Sequence, residues 1–174
     1  HGDEYQPLPT TVLEQTVARI RKLEDSSTGE NAQEVADAIR DIVQDHAGVF
    51  RTTALLEEGV KQILAIEPRV RNIHLKDKSK VFNTARVEAL EVENLYEVAK
   101  ATLISAAARK ECRGAHTVVD FEESPDHPAY PYGRRDDEWM KHTLWFSSDN
   151  RLEYKPVRYK PLSVAAIPPK PRTF

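Results

Sequence analysis

Residues 83–116, NTARVEALEVENLYEVAKATLISAAARKECRGAH, decide the fold. Asn83 suits the N-cap position, where a side-chain oxygen accepts from the backbone N–H groups of the first turn. Phe82 and Val87 fall where a hydrophobic staple would fix the entry of the chain. Gly114 suits the left-handed residue that commonly ends a helix. The stretch between them predicts one helix of roughly 30 residues, about 45 Å long at 1.5 Å per residue. Its first half carries a polar face of Glu88, Glu91, Glu93 and Glu97. Its second half, from Ala99 through Thr102, Leu103 and Ile104 to Ala108, is apolar or small nearly all round. That composition predicts a helix buried on all sides, a central post with the other helices around it.

The end of this helix is crowded with charge. Arg109, Lys110 and Arg113 would offset the negative end of the helix dipole, but Glu111 gains nothing from that position. A carboxylate between arginines forms bidentate pairs instead. A turn at Gly114 would bring His116 back toward carbonyls that the helix leaves unpaired. Arg109, Glu111, Arg113 and His116 are therefore the candidate site, read as a structural and interface lock between the helix end and the chain that follows.

Working outward, Thr11 and Glu14 fit a capping box, and the helix they would open aligns Leu13, Val17 and Ile20. Asn31 and Glu34 repeat the pattern ahead of Val35, Ile39, Ile42, Val43 and His46. A third helix starts near Thr52 or Thr53 and aligns Leu56, Val60, Ile63, Ile66, Val70 and Ile73, with Pro68 forcing a kink or restart near Glu67. His74–Lys80 is a charged loop. Beyond Gly114 helical periodicity stops. Thr143–Phe146 and Arg151–Tyr154 flank residues 147–150 as a hairpin with a four-residue loop, and a proline-punctuated extended tail follows. Trp139, Trp145, Phe146 and Tyr154 are expected to cover the bundle or to face a partner. The fold expected is mainly α: an antiparallel bundle of three or more helices around one long helix, with an extended C-terminal tail containing a β-hairpin. The expected division is a linker and first helix at 1–38, the bundle at 39–116 and the tail at 117–174.

The bulk numbers narrow the function. At 174 residues with 40% hydrophobic and 30% charged residues, this is one ordinary globular domain. A net charge of −3 with no basic cluster gives nucleic acid no electrostatic footprint. Apolar runs are too short to span a membrane. The single cysteine, Cys112, excludes an internal disulfide and fits a reducing compartment. With His116, His127 and His142 it does not make the ligand set of a zinc site. As a nucleophile it is pulled two ways, by arginines that lower a thiol pKa and helix carbonyls that raise it. His46 on an apolar helix face reads as a core residue. Acidic groups at 120–126 and 136–138 read as solvated. Six scattered glycines form no phosphate loop. A chain beginning His1-Gly2-Asp3 reads as a piece of something longer, with no active site of its own.

Specific motifs add a resemblance. RKECRGAH at 109–116 resembles the signature near the C-terminus of succinate dehydrogenase and fumarate reductase flavoproteins, usually Arg-x-Glu-Ser-Arg-Gly-Ala-His, with Cys112 in place of Ser. QDHAGVFR at 44–51, FNTARVEALEVENL at 82–95, RRDDEWMKHTL at 134–144, LEYKPV at 152–157 and PPKPRTF at 168–174 are similar to the same family, in order. The resemblance implies the C-terminal helical domain of a flavoprotein. The full-length protein would hold FAD covalently through a histidine, close a capping domain over the dicarboxylate, oxidise succinate and pass electrons through an iron–sulfur subunit to quinone. The covalent histidine, the nucleotide-binding glycines and the catalytic arginine of that family lie outside this stretch. No catalytic, cofactor-binding or metal residue is therefore assigned here, and the piece alone is expected to be inactive and without cofactor. Expected partners are its own flavin and capping domains, the iron–sulfur subunit and, indirectly, membrane-anchor subunits, with no nucleic acid. The expected location is peripheral, on the cytoplasmic face of a bacterial inner membrane or the mitochondrial matrix side. Fumarate reductase and L-aspartate oxidase are the alternatives within the superfamily; a free-standing helical adaptor is the alternative outside it.

Overall fold

A computed structural model describes Pro7 and residues 9–170. The linker reading of 1–8 otherwise lies outside the described residues, as do 171–174 of the tail. The element order is α1 (Val12–Asp25), α2 (Ala32–Ala47), α3 (Thr53–Ala65), α4 (Glu67–Arg71), α5 (Thr84–Ala108), α6 (Asp136–Trp139), β1 (Lys141–Phe146) and β2 (Arg151–Pro156), with 3-10 turns at Val119–Phe121 and Pro131–Gly133. The fold is mainly α with a C-terminal hairpin, as the periodicity implied.

α5 is the long helix, and α2 and α3 pack against it and each other. The core between them is Val35 and Ile39 from α2, Leu56 and Ile63 from α3, and Val92, Tyr96 and Leu103 from α5, all buried. Small residues at Ala89, Ala99 and Gly59 let the helix axes approach. At Gly59 there is no room for a side chain: an added Cβ would lie 2.5 Å from His46 Cβ and 2.9 Å from Leu103 Cδ2. His46 is thus a packing residue against α3.

Asn83 caps α5. Its Oδ1 accepts from the Arg86 N–H at 2.8 Å, and its Nδ2 donates to the carbonyls of Asp77 and Ser79, both at 2.9 Å. One buried side chain thereby holds the charged loop against the helix it starts. Asn31 caps α2 and Thr52 caps α3 through their side-chain oxygens. Pro68 restarts the chain as α4 after α3 ends at Ala65. The hairpin surrounds 147–150 and runs two residues further at its open end than expected, pairing Lys141 with Pro156.

Several local expectations fail. Thr11 does not cap α1: it is already helical (φ −84°, ψ −9°), because the Val12 N–H donates to the Pro9 carbonyl and starts the turn earlier. Leu13 is 72% exposed, and Leu23 is the residue of α1 that enters the core. No staple closes on α5, since Phe82 is 99% and Val87 55% exposed. The second half of α5 is not buried all round: Thr102 faces out, as does Val98 just before it. The helix also stops at Ala108, with Arg109 extended (φ −86°, ψ 107°). Gly114 takes its positive φ of 60° inside a separate turn, in which Arg113 and His116 exchange backbone hydrogen bonds of 2.7 and 3.1 Å.

Alanine at 59 would add helix propensity worth about 1 kcal/mol, yet overpacking against His46 Cβ, fixed next to its backbone, costs about 1–3 kcal/mol. Gly59→Ala is expected to lower the melting temperature. A thermal scan showing an unchanged or raised midpoint would mean that α2 and α5 yield at this contact.

Candidate functional site

The site forms where α5 ends. Glu111 is fully buried, and four donors converge on its carboxylate. Oε1 accepts from Arg109 Nη1 at 2.5 Å and Arg113 Nε at 2.8 Å. Oε2 accepts from Arg113 Nη2 and from the Arg135 backbone N–H, both at 3.0 Å. Arg113 therefore grips Glu111 in a fork, the strongest geometry for this pair. The backbone amide of Arg135 brings in the C-terminal segment.

Each arginine also reaches outward. Arg109 Nη1 donates to the Trp139 carbonyl at 3.1 Å and Nη2 to the Lys141 carbonyl at 2.8 Å, at the entry to β1. Its guanidinium lies 5.1 Å from the Trp139 ring centroid. Arg113 Nη2 donates to Asp136 Oδ1 at 2.6 Å, and Arg134 takes both oxygens of the same carboxylate at 2.6 and 2.8 Å. Burial works against the charge on Asp136, but the hydrogen bonds from Arg134 and Arg113 outweigh it and hold the carboxyl below its usual range. The hydrogen bonds that Arg113 donates to Glu111 in turn push its own pKa further up.

His116 is the fourth member. Arg51 Nη1 lies 3.1 Å from His116 Nδ1, while His116 Nε2 lies 3.0 Å from the Arg109 carbonyl oxygen. A guanidinium only donates, so Nδ1 accepts, and Nε2 carries the proton and donates to the carbonyl just past the helix. Arg51 also donates from Nε to the Gly48 carbonyl at 2.9 Å, which ties the α2–α3 corner to the end of α5. Partial burial is the main reason that the His116 pKa is lowered, and the nearby Arg51 and Arg109 charges act the same way.

The four residues singled out in the sequence thus lie together. Sequence reasoning missed Arg51, Arg134, Arg135 and Asp136. The acidic run at 136–138 is exposed, as expected, and Asp136 is in addition held by two arginines. Asp120, likewise exposed, accepts from the Thr53 N–H at 2.5 Å and supports the start of α3. Lys100 was also missed: it is buried on α5, pairs with Glu97 at 3.1 Å and lies 5.5 Å from the Trp145 centroid, docking the hairpin on the bundle. Cys112 is buried and exchanges weak hydrogen bonds with the backbone of Val118. Burial is the chief reason its thiol pKa is raised, which leaves it a poor nucleophile. Next to it Gly133 has φ +72°, and an added Cβ would stand 2.0 Å from the Phe121 carbonyl oxygen. Among the described residues no group of three or more His, Cys, Asp or Glu side chains is arranged for a metal ion. No described helix is long and apolar enough to cross a membrane. Chemically, the arrangement can hold structure; nothing in it pairs a nucleophile with a base.

A family model described as the fumarate reductase flavoprotein C-term matches residues 36–174. The succinate dehydrogenase flavoprotein subunit of Rickettsia bellii is 39% identical over 98% of this chain and 28% of its own length. That of Coxiella burnetii is 35% identical over 92% of this chain and 25% of its own. A solved E. coli quinol fumarate reductase chain matches with a TM-score of 0.73 at 25% identity, over 94% of this chain and 27% of that one. The chain spans about a quarter of the length of the curated relatives it matches.

Two outcomes are expected at this junction. Arg113→Ala strands a fully buried carboxylate on one arginine and one amide and is expected to cost about 3 kcal/mol or more, whereas Asp136→Asn, at a more exposed carboxylate, should cost about 1 kcal/mol or less. Equal effects in urea titrations would contradict the burial argument. The second outcome concerns pH. His116 is held neutral, so the folded chain takes up its proton at lower pH than the unfolded chain. Stability is complete above about pH 6.5 and declines as pH falls from there to the depressed folded value. His116→Gln should flatten the pH dependence of the melting temperature in that window. An unaltered slope would place the acid sensitivity elsewhere.

Proposed function

The chain belongs to the fumarate reductase flavoprotein C-terminal family, and from that membership we propose that its full-length protein is an FAD-dependent succinate dehydrogenase. The observation that carries this reading is identity of 35–39% to succinate dehydrogenase flavoprotein subunits along nearly the whole chain, with the charged junction at its centre. In this reading the full-length protein oxidises succinate to fumarate on FAD. It passes electrons to an iron–sulfur subunit and thence to quinone through membrane-anchor subunits. The protein sits as a peripheral subunit on the cytoplasmic face of a bacterial inner membrane or the matrix side of a mitochondrial one.

The domain described here contributes architecture. It supplies no catalytic residue, and its four-residue junction serves as a lock. Arg109 and Glu111 bind the helix end to the tail, Arg113 extends the network to Asp136, and His116 closes it onto the α2–α3 corner. In the full-length protein the same junction braces the face turned toward the flavin domain. The match to a quinol fumarate reductase favours a second reading, in which the same chemistry runs toward succinate.

The full-length flavoprotein is expected to show flavin absorbance and to reduce an artificial acceptor with succinate, faster than it oxidises a reduced viologen with fumarate. The isolated 174-residue chain is expected to do neither and to carry no flavin. Absence of flavin from the full-length protein would defeat the reading. A dominant fumarate-dependent rate would favour the second one.

A further inference from the structure

Beside the turn at Gly114 lies a cavity of about 520 Å³, walled in part by Arg113, Arg134, Glu122, Glu123, Gly114 and Lys170. Its volume falls within the range of small-molecule sites, about 300–1,000 Å³. The lock borders this cavity without using all of its own donors. A guanidinium carries five N–H groups in one plane. Arg113 commits Nε and Nη2 to Glu111 and Asp136. Arg134 commits Nε and Nη2 to Asp136. Nη1 of each donates to no described residue, and part of each side chain stays open to solvent, 29% of Arg113 and 14% of Arg134. Two fastened nitrogens hold each planar group still, so the free edges are oriented before a ligand arrives.

The cavity also holds charge of the other sign. Glu122 is exposed and Glu123 half-buried, and the ion pairs of the junction involve neither. This mixture decides the class of ligand. Glu111 and Asp136 already balance Arg113 and Arg134. A simple anion would therefore find oriented donors together with two carboxylates that have no counterion among the described residues. A simple cation would find those carboxylates together with two guanidiniums and the Lys170 ammonium. Each would pair with part of the wall and be repelled by the rest. A zwitterion with its two charges a few bonds apart matches both parts. There is room beside the turn for more than the charged groups: an added Cβ at Gly114 would meet nothing within 4 Å.

We propose that this cavity binds a free α-amino acid. Its carboxylate accepts from Nη1 of Arg113 and of Arg134, its ammonium donates to Glu122 and Glu123, and its side chain lies along Gly114. Both arginines then serve twice, through Nε and Nη2 in the lock and through Nη1 at the ligand. A bound amino acid also ties the turn after α5 to the segment that carries Glu122 and Glu123.

The test is calorimetric titration of the full-length flavoprotein with L-alanine, which has one carboxylate and so differs from the dicarboxylates of the proposed reaction. A Kd of about 1 mM is expected. Acetate and methylamine each carry only one of the two charges and are expected to bind about tenfold more weakly or worse. Glu122→Gln with Glu123→Gln, at side chains outside the lock, is expected to weaken L-alanine by about tenfold or more and to leave flavin content unchanged. Arg134→Lys keeps a cation beside Asp136 but removes the planar Nη1 edge, and the same loss of affinity is expected. No heat from L-alanine at about 10 mM, acetate binding as tightly as L-alanine, or full affinity in the doubly substituted protein would each overturn the site.

Discussion

Everything at the C-terminal end of the bundle depends on how one buried carboxylate is surrounded by donors. Glu111 has no exposed surface, yet four N–H groups reach its two oxygens. An ionised group taken out of water loses several kcal/mol of hydration, and only close, numerous donors offset that loss. The donors come from Arg109 at the helix end, Arg113 at the following turn and the backbone of Arg135 more than twenty residues on. The need to surround Glu111 therefore sets where α5 stops, how the chain turns back and where the segment before α6 must lie. That also accounts for a helix that stops at Ala108 without glycine or proline. Arg109 is extended because its side chain reaches the carbonyls at the start of β1.

Where a structural signal is carried by two or three neighbouring residues, the sequence could be read directly. Asn83, Asn31 and Thr52 cap helices because a short side chain at the right offset has a local donor to meet. Pro68 breaks α3 because a ring cannot donate. The hairpin was legible because its two apolar runs bracket a polar four-residue turn. The failures share a cause in tertiary structure. Thr11 lost its capping role to a turn begun at Pro9. Phe82 and Val87 had staple spacing, but Phe82 adopts a positive φ of 51° and points to solvent. Gly114 has the conformation expected of a helix terminator and uses it one turn later, in a loop.

The junction was half legible for the same reason. Arg109, Glu111, Arg113 and His116 share one short run, and a carboxylate among cations at a helix C-terminus conflicts with the dipole, which is a signal in itself. Nothing local marks Arg51 as the partner of His116, since the two are 65 residues apart and meet only after α3 and α5 have packed. Asp136 belongs to an acidic run of three, and only the fold selects the one that faces two arginines. Lys100 gave no signal at all, because a lysine in an apolar helix is ordinarily read as snorkelling to water. Here its ammonium is held instead between Tyr96 and Trp145, with Glu97 as counterion.

A buried ionic network is a weak means of adding stability, because apolar residues of similar volume often serve as well. Its distinct property is direction. An apolar contact tolerates sliding and rotation, whereas the Arg113 fork on Glu111 and the Arg109 bonds to two named carbonyls fix both distance and angle. A bundle built from α2, α3 and α5 alone would close its core without specifying where the chain beyond α5 should go. The network supplies that missing orientation. It sets the hairpin against Lys100 and the turn against Arg51, so that α6, β1 and β2 leave the bundle at a fixed angle. The orientation of exposed surfaces is the property that the chemistry of this junction is suited to maintain.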